Sequence, residues 1–391
     1  MPSPPLPQKK RRLPPSAPPV ANRIRGGLFG LWLGNMLGIP FHGRHPPVPE
    51  FPTLYVKPQE GGPPLRLPSE YGLPFAFACC CAQYLFHARQ FQLGELLQAY
   101  VHYAALLQRA EKLAPSPPPY EENTPPQPQE NSPPLPSLEP GLAWALQQFP
   151  RFHSASAFLE YAARSPLPHG PVVDAVLLRS LPLACFFYAD TPKRIAAVME
   201  TALAAQGGAL GALGSVALAA LLAESILSPQ PHAPLKALLE AMQRDMAQAA
   251  PALLQMGLGP AASIHQALAS LHEDINHAQK DSPNLYGPAL NLRQHAGYLR
   301  VSFRLALWEL FHAPEEAPGS VVEDVIRRGG SPSSQGALVA CLCGARWGKA
   351  CLPRPGEGAF SPSSPSPPPS SPVFQNASFL ETLGEALVAK L

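Results

Sequence analysis

Three groups of side chains in this chain have types that could do chemistry, and their spacing limits what that chemistry is. Cys79, Cys80 and Cys81 are consecutive, and Cys341, Cys343 and Cys351 lie near one another. Thiolates gathered in this way can build a zinc site. Consecutive residues on a helix point in different directions, however, and cysteine packs well as a small hydrophobe. Both groups are therefore read as packing. The cysteines number seven, and adjacent ones cannot make the separated pairs of a disulfide framework. His272, Glu273, Asp274 and His277 form a dense acid/histidine cluster. They do not make the HExxH spacing of a zinc-binding helix, and they read as a solvated helix face. Lys9-Lys10-Arg11-Arg12 is basic but sits among prolines, with no aromatic ring to stack a base, so it reads as a solvated tail. No Walker-type loop and no G-x-S-x-G elbow is present.

The elements that would position any site are helical. Leu235, Leu238, Leu239, Met242 and Met246 repeat at helical spacing on one face, with Lys236, Glu240, Arg244 and Asp245 off it. Alanine-rich runs over 195–205 and 209–227, parted by Gly207-Gly208, are strong helix formers. Residues 305–311 and 321–328 also read as helices, separated by Pro314 and Pro318. Sustained strand-type alternation is missing. The apolar stretch 207–223 is short for a membrane span and consists mostly of alanine, glycine and leucine, so it is expected to be a buried core helix and no membrane partner is expected. The fold class that follows is all-α, a compact single-domain multi-helix bundle.

Proline sets the boundaries. The chain has 53 prolines and only 14% charged residues, and the prolines cluster. Residues 1–21 read as a disordered, basic, Pro-rich tail, about 115–140 as a Pro-rich insertion inside one helical domain spanning 22–353, 354–373 as a Pro/Ser-rich loop, and 374–391 as a C-terminal helix. A formal net charge of +2 is too small to argue for a nucleic-acid partner. The absence of a secretory n-region and h-region, with the cysteine usage, places the protein in the cytoplasm as an expectation.

Three stretches, in order, carry a resemblance. RIRGGLFGLWLGNMLGIPFHG, over 23–43, is similar to the Gly-rich opening helix of the ADP-ribosylglycohydrolase family (dinitrogenase reductase-activating glycohydrolase and relatives), with Gly26, Gly27, Gly30, Gly34 and Gly38 where helices must pack closely. AVLLRSLPLACFFYAD, from Ala175, resembles the family's N-G-A-A-M-R-x-x-P-L segment and keeps Arg179, Pro182 and Leu183. LALWELFHAPE, from Leu305, followed by VVEDVIRRGGSPSSQGALVACLCGARWG, resembles the C-terminal signature with its G-G-D-T-D-T motif, and Leu352-Pro353 echoes the terminal I-P. The matches span about 23–353.

The resemblance implies a helical bundle in which carboxylates from two distant motifs hold a pair of Mg²⁺ or Mn²⁺ ions that position ADP-ribose and water for glycosidic cleavage. This sequence departs from that pattern. The G-G-D-T-D-T positions fall on Gly329, Gly330, Ser331, Pro332, Ser333 and Ser334, so both aspartates become serine. The T-D-D-T positions fall near Gly72, Leu73, Pro74 and Phe75, before a small-residue helix over 78–86, with Glu70 close by in sequence. Asn35 stands at the opening motif's aspartate, His42 at its glutamate, and Asp174 at the start of the central motif. Neutral hydroxyls do not offset the roughly +4 of a dinuclear site. The expectation is therefore a ligand-pocket remnant formed by Asn35, His42, Arg179, Gly329, Gly330, Ser331, Ser333 and Ser334, with no metal and no cofactor. It would serve a non-catalytic binding module for an ADP-ribose-like ligand or a protein partner. The alternatives are an altered or metal-independent ADP-ribosyl hydrolase using Asp174 or Glu70 as acid/base, and a structural protein on the same fold.

Overall fold

The computed structural model describes residues 19–39, 73–88, 90–113, 138–165, 172–230, 233–257, 260–280 and 297–353, with residues 73 and 107–113 as backbone only. Its described residues form thirteen α-helices and no strand; an isolated bridge joins Val173 to Tyr298. In chain order the helices are α1 (Val20–Gly38), α2 (Leu73–His87), α3 (Leu93–Leu113), α4 (Pro140–Gln148), α5 (Ala155–Arg164), α6 (Ala175–Phe186) and α7 (Thr191–Ala204). They continue with α8 (Gly208–Leu227), α9 (Leu235–Gln255), α10 (Ala261–Ala278), α11 (Leu299–Phe311), α12 (Ser320–Arg327) and α13 (Pro332–Trp347). The fold is all-α, as the periodicity predicts.

α8 is apolar on every side, so it has no face to give to water and becomes the axis around which α6, α7, α9 and α10 pack. By length and composition it could cross a membrane, yet 83% of its most apolar window is buried inside the bundle. The second organising contact is α1 against α13. Gly26, Gly30, Gly34 and Gly38 recur every four residues and meet the backbone of Gly344, Ala340, Gly336 and Pro332 in turn, so closely that a Cβ on any of them would overlap a carbonyl. Gly27 is different: a Cβ there would meet Ala345 at 3.5 Å and the Cys185 sulfur at 3.6 Å, ordinary contacts. Four of the five glycines thus serve helix approach, and the stripe sets the level of α13 against the C-terminal end of α1.

Buried ion pairs join elements where the periodicity predicts solvated faces. Asp245 is fully buried on α9, and Arg194 of α7 donates to it at 2.7 Å. Asp274 is fully buried on α10 and accepts from Arg300 at 2.7 Å and from Arg304, both on α11. Two expectations are corrected here, because a charge can enter a core face when a guanidinium fork meets it there. Glu273 and His272 of the same cluster do lie in solvent. Arg23, fully buried on α1, donates to the carbonyls of Ser225 at 2.7 Å and Ser228 at 2.6 Å and also to Gln230, satisfying the C-terminal end of α8. The six cysteines at 79–81, 185, 341 and 343 are buried and free, and burial raises all their thiols. They pack, as expected.

Boundaries shift by a few residues. α1 begins at Val20, inside the expected tail, and α4 begins at Pro140 with Glu139 before it, inside the expected insertion. Proline is compatible with the first helical position, where an N–H has no intrahelical acceptor. The remainder of the tail and the insertion, and the segments 354–373 and 374–391, lie outside the described residues.

Candidate functional site

The site forms where the first turns of α6, α11 and α13 meet. Gly329 and Gly330 both take left-handed backbone conformations, with φ of 77° and 78°, and turn the chain sharply from α12 into α13. Ser331 then occupies the N-cap and Pro332 the first helical position of α13. Pro332 therefore removes no hydrogen bond that the helix needs. Ser331, Ser333 and Ser334 are all buried. Opposite them, Asp174 is the residue before α6. Its N–H donates to Gly297 at 2.8 Å, and the Val173–Tyr298 bridge ties the same spot to the start of α11.

This ladder places Ser302 of α11 beside Asp174. The Ser302 hydroxyl donates to the Asp174 carboxylate at 2.8 Å and accepts from the Gln335 side chain at 3.3 Å. The hydroxyls of Ser331 and Ser334 lie close enough to Asp174 to act on its carboxyl. Asp174 is 3% exposed, and burial pushes its carboxyl up to about 7, aided by the negative charge of Glu139; the hydroxyls of Ser302, Ser331 and Ser334 pull the other way and do not win. The group is thus poised between a neutral acid and a carboxylate near neutral pH.

Arg179, also on α6, is 1% exposed and pairs with Glu139 at the start of α4. Burial alone would lower its guanidinium, but Glu139 more than offsets this and holds it above its ordinary value. Its Nε and Nη1 have no hydrogen-bond partner among the described residues. Tyr100 and Cys81 lie close enough to act on it. Asn35 follows Gly34 on α1, level with the first turn of α13; it is 1% exposed and its Nδ2 is unpartnered. The Gln335 Oε1 is likewise unpartnered. Gln206, in the α7–α8 turn at φ 54°, is buried with both amide atoms unpartnered, and Gly141 of α4 packs against it.

The structure brings Asp174, Ser331 and Ser334 together, sets Asn35 at the same level of α1 and α13, and places Ser333 within that turn. Arg179 belongs to the adjoining Glu139 pair. The positions set against T-D-D-T do not form a loop before a helix: residues 73–75 make the first turn of α2, and Phe75 is buried. His42 and Glu70 lie outside the described residues. Ser302, Gln335 and Glu139 were not legible as site residues. Ser302 and Gln335 are marked only by being polar on otherwise apolar helix faces, and Glu139 is masked by the prolines before it.

The metal pair that the resemblance implies makes specific demands on such a donor set. Hard divalent cations need several oxygen ligands, anionic ones among them. Here one carboxyl faces a wall of serine hydroxyls, and Glu139 is engaged by Arg179. Among the described residues no group of three or more His, Cys, Asp or Glu side chains is placed to hold a metal ion. These groups do not fit a dinuclear site.

The sequence model of the ADP-ribosylglycohydrolase family matches residues 16–356. A solved structure described as an "ADP-ribosylglycohydrolase-related protein complex" superposes with a TM-score of 0.59 at 18% identity, covering 95% of this chain and 98% of that one. No curated protein matches the chain. The family match spans every described helix, from the glycine stripe of α1 to the Gly329-Gly330 turn and α13, and on that ground the chain belongs to the ADP-ribosylglycohydrolase family.

Proposed function

We propose that this family member is a binding module and not a metal-dependent hydrolase, and that its pocket takes an ADP-ribose-like ligand without divalent cations. One observation carries this reading: the carboxyl at the centre of the site accepts from Ser302 and stands beside the hydroxyls of Ser331 and Ser334. The counter-charge for a metal pair is absent from that wall, while hydrogen-bonding capacity is plentiful. The unpartnered atoms of Asn35, Arg179 and Gln335 add to this capacity. A buried polar atom left unpaired costs about 1–3 kcal/mol, so a polar ligand that pairs with these groups recovers free energy on binding.

A second reading has a specific observation behind it. Asp174, pushed up to about 7, has the protonation behaviour of a general acid or base at neutral pH, which suits an altered, metal-independent hydrolase. Calorimetry with ADP-ribose, with and without Mg²⁺, separates the readings. Binding of equal strength in both conditions, without turnover, is expected. Binding that requires Mg²⁺ would overturn the proposal, and slow release of product without metal would favour the second reading. Absence of any binding would leave a protein-partner or structural role.

A further inference from the structure

Away from the α6–α11–α13 site, the start of α3, one face of α5, Glu200 of α7 and the end of α9 line an open cleft of about 590 Å³. That volume lies within the range of small-ligand sites. Phe91, Leu159 and Met256 give it apolar walls, and Glu160, Arg164 and Glu200 give it charge. The Phe91 ring is fixed by edge-on contacts with Tyr84 and Phe187, so this wall is preformed.

The three charges differ in kind. Glu160 and Arg164 are exposed and stand one helical turn apart on α5 without pairing, so water solvates each of them. Glu200 is half-buried and makes no hydrogen bond or ion pair among the described residues. Burial alone displaces its carboxyl upward, and no cation acts on it. A partly desolvated carboxylate beside apolar walls gains more from a counter-ion than a solvated one does. The complement is a positive charge on a short apolar stem, the same combination by which a lysine side chain covers apolar surface.

We propose that this cleft binds a primary alkylammonium group, with the ammonium on Glu200 and its methylenes against Phe91, Leu159 and Met256. The source of that group is either a lysine side chain or a free aliphatic amine. The inference is independent of what the α6–α11–α13 site binds.

The test titrates the full chain with n-butylamine and with Nα-acetyl-lysine methylamide, read by calorimetry and by saturation-transfer NMR. Glu200→Gln keeps the shape and removes the half-buried charge, so it should fold at least as well as the parent. It is expected to weaken both probes about tenfold, while Glu160→Gln changes binding by less than about twofold. In the parent, affinity should rise as pH climbs through the raised range of Glu200, because the ionised carboxylate is the binding form; Glu160 and Arg164 are the other charged groups facing the cleft, and the slope should vanish only in the Glu200 variant. n-Butanol should not compete. Tighter binding of the lysine derivative assigns a peptide source, and tighter binding of butylamine assigns a small amine. Equal affinity in parent and Glu200→Gln, equal competition by n-butanol, or no saturable binding of either amine would each overturn the proposal.

Discussion

Replacing Asp174 with asparagine should change how the stability of the protein depends on pH, and the size of the change follows from the site. The Asp174 carboxyl moves from an ordinary 3.8 to about 7 on folding. Because the folded value is the higher one, its contribution is fully present below the unfolded value and is lost as pH rises through about 7. A displacement of that size corresponds to about 4 kcal/mol. Asparagine keeps an oxygen to accept from Ser302 and carries no charge at any pH. Parent and Asp174→Asn should therefore be of similar stability near pH 4, and the variant should be the more stable by up to about 4 kcal/mol near pH 8. Glu309, pushed up to about 9 by burial and by Asp324, slopes in the same direction but is common to both proteins and cancels in the difference. Urea unfolding of both proteins across this range, with unchanged m-values, reads the effect. Parallel stability curves would refute the reasoning: Asp174 would then ionise in the fold as readily as in the unfolded chain, and the hydroxyl wall would compensate it in full.

Other substitutions probe the parts that hold the site. Gly34→Ala should destabilise by about 1–3 kcal/mol despite alanine's better helix propensity, because its Cβ overlaps the Gly336 carbonyl, whereas Gly27→Ala should be neutral or stabilising by up to about 1 kcal/mol; thermal unfolding compares them. Arg194→Met leaves Asp245 buried with only the half-exposed Arg244 beside it and should cost about 3 kcal/mol by chemical denaturation. Ser331→Asp with Ser333→Asp should not create ADP-ribose release from a modified Arg or Ser substrate in excess Mg²⁺ or Mn²⁺, since the start of α2 still offers no carboxylate. Hydrolysis by the parent, abolished by a chelator, would show that carboxylates elsewhere hold metal.

The helices were legible because the apolar spacing is regular and the glycines of α1 recur every four residues. The burial of Asp245 and Asp274 was not, because period alone places a charged residue in solvent, and the arginines that admit them to the core lie on other helices. The site was half legible. Ser331, Ser334 and Asp174 could be named because they sit at motif positions. Ser302 reaches Asp174 only because Asp174 N–H bonds to Gly297 and the Val173–Tyr298 bridge draws the two helix starts together, a tertiary fact with no local pattern. Glu139 was hidden for a different reason: the proline run before it made 115–140 read as one insertion, although the last of those prolines opens α4.

The same geometry shows which parts of the scaffold are independent of the side chains at the site. The contact of α1 with α13 is made by backbone at Gly26, Gly30, Gly34 and Gly38, so it does not depend on which side chains the first turn of α13 carries. The turn into α13 is set by two left-handed glycines, and Pro332 at the first helical position favours the same start. Serine at 331 and 333 is therefore compatible with both the turn and the helix. The distinctive character of the site is electrostatic. Several clustered carboxylates in a buried turn repel one another and need cations to stay ionised. One carboxyl among hydroxyls has a simpler solution, which is to exchange a proton with the solvent near neutral pH while Ser302 stays hydrogen-bonded to it. A ligand that donates to Asp174 would favour its ionised form, and one that accepts from it would favour the protonated form. The pH dependence of binding at this site should thus reveal which way the hydrogen bond runs, and Asp174→Asn should abolish that dependence whatever the ligand proves to be.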